Sequence, residues 1–279
     1  MPKIFTVDVE EYFHAENILK SLTEQALHSM PSRIRIGVDK TLDLLEKNNQ
    51  KATFFVLGCV AEKNKGLIQR IHEAGHEIAS HGYRHIPLHE HTPKTFDQDL
   101  GRSIKILSDI TGEPVLGYRA TSFSLTDKME WFFDVLRKHR LVYDSSISSS
   151  FFRRSSSFDA LKENSDCFQI SEGIWEFPIA SMKLGDFRIP MGGGYFRAYP
   201  YEWTRWGLEH TGANGKGVTL FYVHPWELDP DQPRLRIPFL KFWRHYLNLD
   251  TTECKLAQLL KDIRFTSIRD CMHERLLTA

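Results

Sequence analysis

Short, almost continuous apolar runs alternate with longer segments whose apolar positions recur at helical spacing along the first two-thirds of the chain. IFTVDV (4–9) predicts a strand, RIRIGVDKTLDLLEKNN (33–49) an amphipathic helix, and KATFFVLG (51–58) a buried strand. NKGLIQRIHEAG (64–75) predicts a helix stopped at Gly75, and HEIASHG (76–82) the next strand. A longer helix over 93–112 ends at Gly112, followed by a strand over 114–120, a helix over 126–140 and a strand over 141–147. This order predicts an α/β fold with parallel strands wrapped by helices, in which chemistry gathers at the strands' C-terminal ends. Asp8, His81, Arg119, Asp144 and His224 all fall at such ends.

The rhythm breaks between about 150 and 217. SSISSSFFRRSSS (145–157) is loop-like, and the segment containing MGGGYFR (191–197) predicts irregular strands broken by Gly and Pro. No Lys-Ser/Thr pair and no evident helix follows those glycines, so they do not form a phosphate loop. They make either a tight aromatic turn or a loop presenting Tyr195, Phe196 and Arg197 to a sugar. GVTLFYVHPWEL (217–228) restores a buried strand, and the remainder predicts two helical segments and a short strand. The expected division is a catalytic domain over 1–235 and a C-terminal extension over 236–279, packed on the outside of the fold or covering its mouth.

Composition narrows the class. The 36 basic and 36 acidic residues balance, so no global field points to nucleic acid or a membrane surface. No apolar run approaches the roughly 20 residues that span a bilayer. The chain opens almost directly on a strand without a secretory leader pattern, and its four cysteines are scattered. Both features lead to the expectation of a cytoplasmic protein with reduced thiols.

SHGYRH carries His81 and His85 four residues apart, just after a strand. Two imidazoles that can face one way suit a zinc-like divalent ion but still need a carboxylate. The plain alternative is a chance pair or a helix cap among 13 histidines, with His89 and His91 as a polar loop. In TVDVEEYFH, strand alternation puts Asp8 and Glu10 on one face, where burial demands a cation such as a metal or Arg119. Glu11 reads as a solvated strand end. Trp226, beside His224, either stacks on a sugar ring or lines the pocket; Trp131 and Trp175 read as core.

Five ordered motifs, TVDVE, SHGYRH, YRATSF, YDSS and FYVHPWE, resemble the NodB-type polysaccharide deacetylases of carbohydrate esterase family four. GGGYFR and the C-terminal extension resemble that family's exopolysaccharide-locus (exosortase-associated) subgroup. The resemblance implies a distorted (β/α) barrel and an N-deacetylase acting on an N-acetylated saccharide. It implies a divalent metal, zinc by first choice, on His81, His85 and an acid. Where the family has adjacent aspartates, this chain has Asp8, Val9 and Glu10. Asp8 is therefore assigned as base and Glu10 as ligand, with the reverse as the alternative. The resemblance further implies that Arg119 holds Asp8, and that a backbone N–H near Thr121 or Ser122 binds the oxyanion. His224 becomes the acid, oriented by Asp144. Tyr195 and Trp226 are the candidate saccharide contacts. Rival readings are an allantoinase-like hydrolase of small amides and a carbohydrate-binding relative without activity.

Overall fold

The computed structural model describes residues 2–19, 21–148, 166–184, 187–211 and 217–276. From 149 to 165 the expected serine-rich loop lies outside the described residues. The strands are β1 (Lys3–Val9), β2 (Thr53–Val56), β3 (Glu77–Ser80), β4 (Gly117–Tyr118), β5 (Tyr143–Asp144), β6 (Phe168–Ser171), β7 (Ile174–Glu176), β8 (Ser181–Leu184), β9 (Phe187–Pro190), β10 (Thr219–Val223) and β11 (Phe265–Thr266). The main sheet runs β10-β1-β2-β3-β4-β5-β7-β6, with β11 also on β1, while β8 and β9 form a separate hairpin. Pairings from β10 to β7 are parallel; only the terminal β6–β7 pair of that sheet is antiparallel. Ile179 bridges Ser148 on one side and Leu220 on the other, which brings β10 round toward β5 and curls the sheet into a distorted barrel.

The helices lie where their periodicity predicts, at Ile34–Lys47, Lys65–Glu73, Pro93–Thr111 and Trp131–Lys138. Thr92 caps the third through the Thr95 N–H, and Gly112 ends it at φ 75°, a conformation that costs a glycine little.

Strand alternation separates two cores. Phe5, Val7, Val9, Phe54 and Val56 face outward and pack with Leu45, Ile68, Leu100 and Phe132 of the helices. Ile4, Phe55, Ala79, Tyr143, Leu220 and Tyr222 face inward. Phe55 meets Tyr143 edge-on at 6.4 Å although β2 and β5 are not neighbours, which marks the barrel interior.

The C-terminal part enters the sheet as well as covering it. It has three helices (Phe239–Tyr246, Leu249–Asp262, Ile268–Leu276), because Ser267 restarts a helix after β11 by accepting the Asp270 N–H at 3.0 Å. Gln50, which is buried, donates to the Leu260 and Ile263 carbonyls and accepts the Phe265 N–H. At the barrel floor, buried Glu77 accepts from Thr53 Oγ1, Tyr143 Oη and the Arg269 N–H.

Candidate metal and acid–base site

At the C-terminal ends of β1, β3, β4 and β10, four polar side chains share the inward phase of the barrel. Asp8 follows Ile4 and Thr6, His81 follows Ala79, Arg119 follows Gly117, and His224 follows Tyr222. Arg119 is fully buried, and its Nη1 donates to Asp8 Oδ1 at 2.5 Å and to Thr6 Oγ1 at 2.9 Å. Its other nitrogens bond the Ser145 carbonyl and hydroxyl, and its plane lies 4.0 Å over the Phe55 ring. Such pairing is what lets a guanidinium and a carboxylate leave water together.

Past β1 the chain bends, with the Glu10 N–H bonding the Asp8 carbonyl at 3.0 Å. Glu10 Oε2 then lies 2.8 Å from His85 Nε2, and Glu10 Oε1 accepts from Trp226 Nε1 at 3.2 Å. Glu10, His81 and His85 each offer one ligand atom, all within 4.8 Å of one another. A carbonyl can only accept, so the 2.8 Å contact from His81 Nδ1 to the Arg119 carbonyl fixes the proton on Nδ1. His81 Nε2 is thereby left as a lone pair. Burial, opposed by Asp8, pulls His81 down to about 4, so its ring is neutral at ordinary pH. Burial pushes the Glu10 carboxyl up, but His85 and His224 outweigh it and hold it well below the usual carboxylate range. His85 Nδ1 is buried without a hydrogen-bond partner among the described residues. Two imidazoles and an ionised carboxylate make a donor set that fits a zinc-like divalent cation.

Beside this cluster, His224 Nε2 is 3.7 Å from Glu10 Oε1. Its Nδ1 lies 3.1 Å from Glu227 Oε2, which also accepts the His224 N–H at 2.9 Å. Arg197 Nε backs Glu227 at 2.8 Å. Burial pulls His224 down, but Glu227 and Glu10 outweigh it and raise it to about 9. Glu227 falls to about 2, because His224 and Arg197 outweigh its burial.

Several expectations need correction. Asp144 does not orient His224. In β5 it is out of phase with inward Tyr143 and lies in register beside Tyr118. Its Oδ1 accepts from Ser146 Oγ at 2.6 Å, and it pairs with Glu176 in the next strand. Ser145 holds the inward place and touches Arg119. Trp226 lines the site, but its ring is flanked by His224 at 5.2 Å and His245 at 4.4 Å, both stacked, so its faces are already occupied. Arg197 and Phe196 are buried rather than presented to a ligand. A helix, Gly194–Ala198, does follow the glycines. A Cβ on Gly192 would sit 2.6 Å from the Tyr222 carbonyl oxygen, and Gly193 has φ 55°, so close approach to β10 explains this glycine run. Glu11 is buried, accepting from Ser32 Oγ and, at 3.0 Å, from the Arg33 N–H at the start of helix Ile34–Lys47.

The other candidates fall as follows. Tyr195 is half-buried and packs on Tyr199 at 5.8 Å. Thr121 Oγ1 donates to the Ile86 carbonyl, which ties the Arg119 turn to the loop after His85. Ser122 and Phe123 both have positive φ, at 54° and 48°, a strained pair directly beyond Arg119. His89 lies in a single 3-10 turn, Leu88–Glu90, and His91 just after it, with His91 Nδ1 near Thr95 Oγ1.

His14 stands in no motif read from the sequence, yet it stacks on His85 at 6.2 Å and accepts the Glu11 N–H. Glu227 did leave a signal: it stands three residues beyond His224, the spacing of a capping box.

Residues 34–140 match the model of the polysaccharide deacetylase family, and residues 148–273 match a domain of unknown function, DUF3473. A peptidoglycan deacetylase from Helicobacter pylori is 30% identical over 117 residues, which are 42% of this chain and 39% of that protein. The match thus spans well under half of that relative. A structure from Mycobacterium smegmatis, named as a polysaccharide deacetylase, aligns with TM-score 0.61 at 19% identity, covering 99% of this chain and 90% of that one. An allantoinase aligns with TM-score 0.61 at 15% identity, covering 98% and 90%. At these identities the structural likeness shows the fold, the distorted barrel of the polysaccharide deacetylases. The family model and the sequence relative support that family for this chain.

Proposed function

Taking the polysaccharide deacetylase match as premise, we propose that this chain is a metal-dependent hydrolase that removes N-acetyl groups from an amino sugar in a polysaccharide or its precursor. The observation that carries this reading is the Glu10–His81–His85 cluster standing beside the Asp8–Arg119 pair and His224. The family-matched segment supplies His81, His85 and Arg119. Asp8 comes from β1, Glu10 from the bend just after it, and His224 from the DUF3473 region. We place the chain in the exopolysaccharide-locus subgroup on its GGGYFR segment and C-terminal extension.

Glu10, His81 and His85 would hold the divalent ion, zinc by first choice, which when bound polarises the amide carbonyl and acidifies water. Asp8 accepts the proton of the attacking water as general base. Arg119 aims that carboxylate, since the pair is buried and bonded at 2.5 Å. The strained turn beyond Arg119 offers backbone N–H groups at Thr121 and Ser122 to the developing oxyanion. His224, held protonated by Glu227, donates to the departing amine, so the sugar leaves as an amine and the acetyl group as acetate. Tyr195 is the remaining candidate for contact with the saccharide.

Acetate release from N-acetylglucosamine oligomers, measured with and without a chelator, tests this reading. Release that stops with chelator and returns with added zinc supports it. No release from any N-acetylated saccharide, alongside hydrolysis of a small cyclic amide, would replace it with the allantoinase-like alternative.

A further inference from the structure

The helix Phe239–Tyr246 has two unlike faces. Its inner face belongs to the wall of the site: His245 stacks on Trp226, and Phe242 packs on Tyr246 at 4.6 Å. Its outer face carries Phe239, Leu240 and Trp243, exposed to 78%, 79% and 56%. Spaced at i, i+1 and i+4, these three share one side of the helix. Basic residues flank them in the sequence. Arg234, Arg236, Lys241 and Arg244 fall in this stretch, and no acidic residue occurs from 232 to 249, in a chain whose formal net charge is zero.

We propose that this face docks the protein on an anionic lipid membrane surface, with Phe239, Leu240 and Trp243 entering the interface and the basic residues meeting lipid phosphates. Large apolar side chains exposed to nearly four-fifths stand proud of the surface, a shape for insertion rather than for lining a groove. Trp and Phe beside Lys and Arg are the composition of interfacial helices, and the positive charge complements an anionic leaflet. No described helix is long and apolar enough to cross a membrane, so the contact is peripheral. The docking does not depend on the reaction. It does place the wall of the site, through His245 and Trp226, one side chain away from the lipid-facing helix.

Flotation of the full chain with vesicles tests the proposal. Vesicles of equal parts phosphatidylcholine and phosphatidylglycerol should carry the protein up the gradient, while pure phosphatidylcholine carries at least about tenfold less. The exposed triple variant Phe239→Ser/Leu240→Ser/Trp243→Ser should lose about tenfold or more of the binding with its melting temperature unchanged. Arg236→Glu/Arg244→Glu should lose a similar factor, and salt should weaken the wild type. Failure of the wild type to float with the anionic vesicles would overturn the proposal. So would equal flotation of the wild type and either variant, or a triple variant whose only change is the loss of self-association in sedimentation.

Discussion

His224 is a strand-end imidazole whose character depends on its neighbours. Glu227 holds it through both side chain and backbone, and Arg197 anchors Glu227 in turn. Glu227→Gln should therefore lower turnover by about 10²-fold or more with binding little changed, because the ring loses both its charge and its aim. Asp144→Asn should change turnover by no more than a few-fold, since that carboxyl bonds Ser146 and pairs with Glu176 while Glu227 holds His224. Steady-state kinetics on the two variants distinguish these roles; the reverse ranking would restore Asp144 as the orienting group. Asp8→Asn should keep the bound metal and lose turnover, whereas loss of the metal would exchange the roles of Asp8 and Glu10. At this scale the sequence carried more than residue type alone conveys. Counting by twos from inward Tyr143 puts Ser145, not Asp144, in the barrel. The clustering of Glu10 with His81 and His85 was visible only as a list of suitable ligands. Nothing in their spacing reveals the bend after Asp8 that turns Glu10 toward them.

Among the elements, the most informative ones are those that tie distant stretches together. Gln50 satisfies three backbone groups of the C-terminal part. Gln50→Ala should destabilise the fold by about 2–3 kcal/mol, read by urea unfolding, since it leaves buried carbonyls and an N–H without partners. A loss under about 0.5 kcal/mol would show that water or local shifts replace the clamp. The Asp144–Glu176 pair makes a further prediction. Burial raises both carboxyls, Asp144 to about 6, and Asp144 Oδ2 and Glu176 Oε2 have no hydrogen-bond donor among the described residues, so one shared proton satisfies both. The folded state then binds more protons than the unfolded chain from about pH 4 upward, and past Asp144's own ionisation near 6 because Glu176 is raised further, so this pair's contribution falls as pH rises through that range. Glu176→Gln supplies a permanent donor. Its melting temperature should gain on the wild type as pH rises, whereas a pH-independent difference would mean that no proton is shared. The helices at Ile34–Lys47, Lys65–Glu73, Pro93–Thr111 and Trp131–Lys138 were legible from periodicity and caps, whereas the short helix Gly194–Ala198 was not. The entry of β11 into the sheet beside β1 was not, since a two-residue strand has no period to detect.

For the whole molecule, the parallel strands wrapped by helices followed from the alternation of elements and the barrel from the family resemblance, while the placement of the site followed from where those strands end. Its closure did not. Ile179 joins Ser148 and Leu220 by single bridges within the irregular stretch, where local pattern says little about pairing. The cluster draws on the β1 end, on the stretch matched to the deacetylases and on the DUF3473 stretch, so only the folded chain brings Asp8, Glu10, His81, His85, Arg119 and His224 together. The central claim is that three of these groups grip one divalent ion. Elemental analysis of metal bound to purified wild type and to His81→Ala, both loaded with zinc and desalted, measures it directly. One zinc per chain in the wild type and none in the folded variant is the predicted result; equal zinc in both, or none in either, would contradict it.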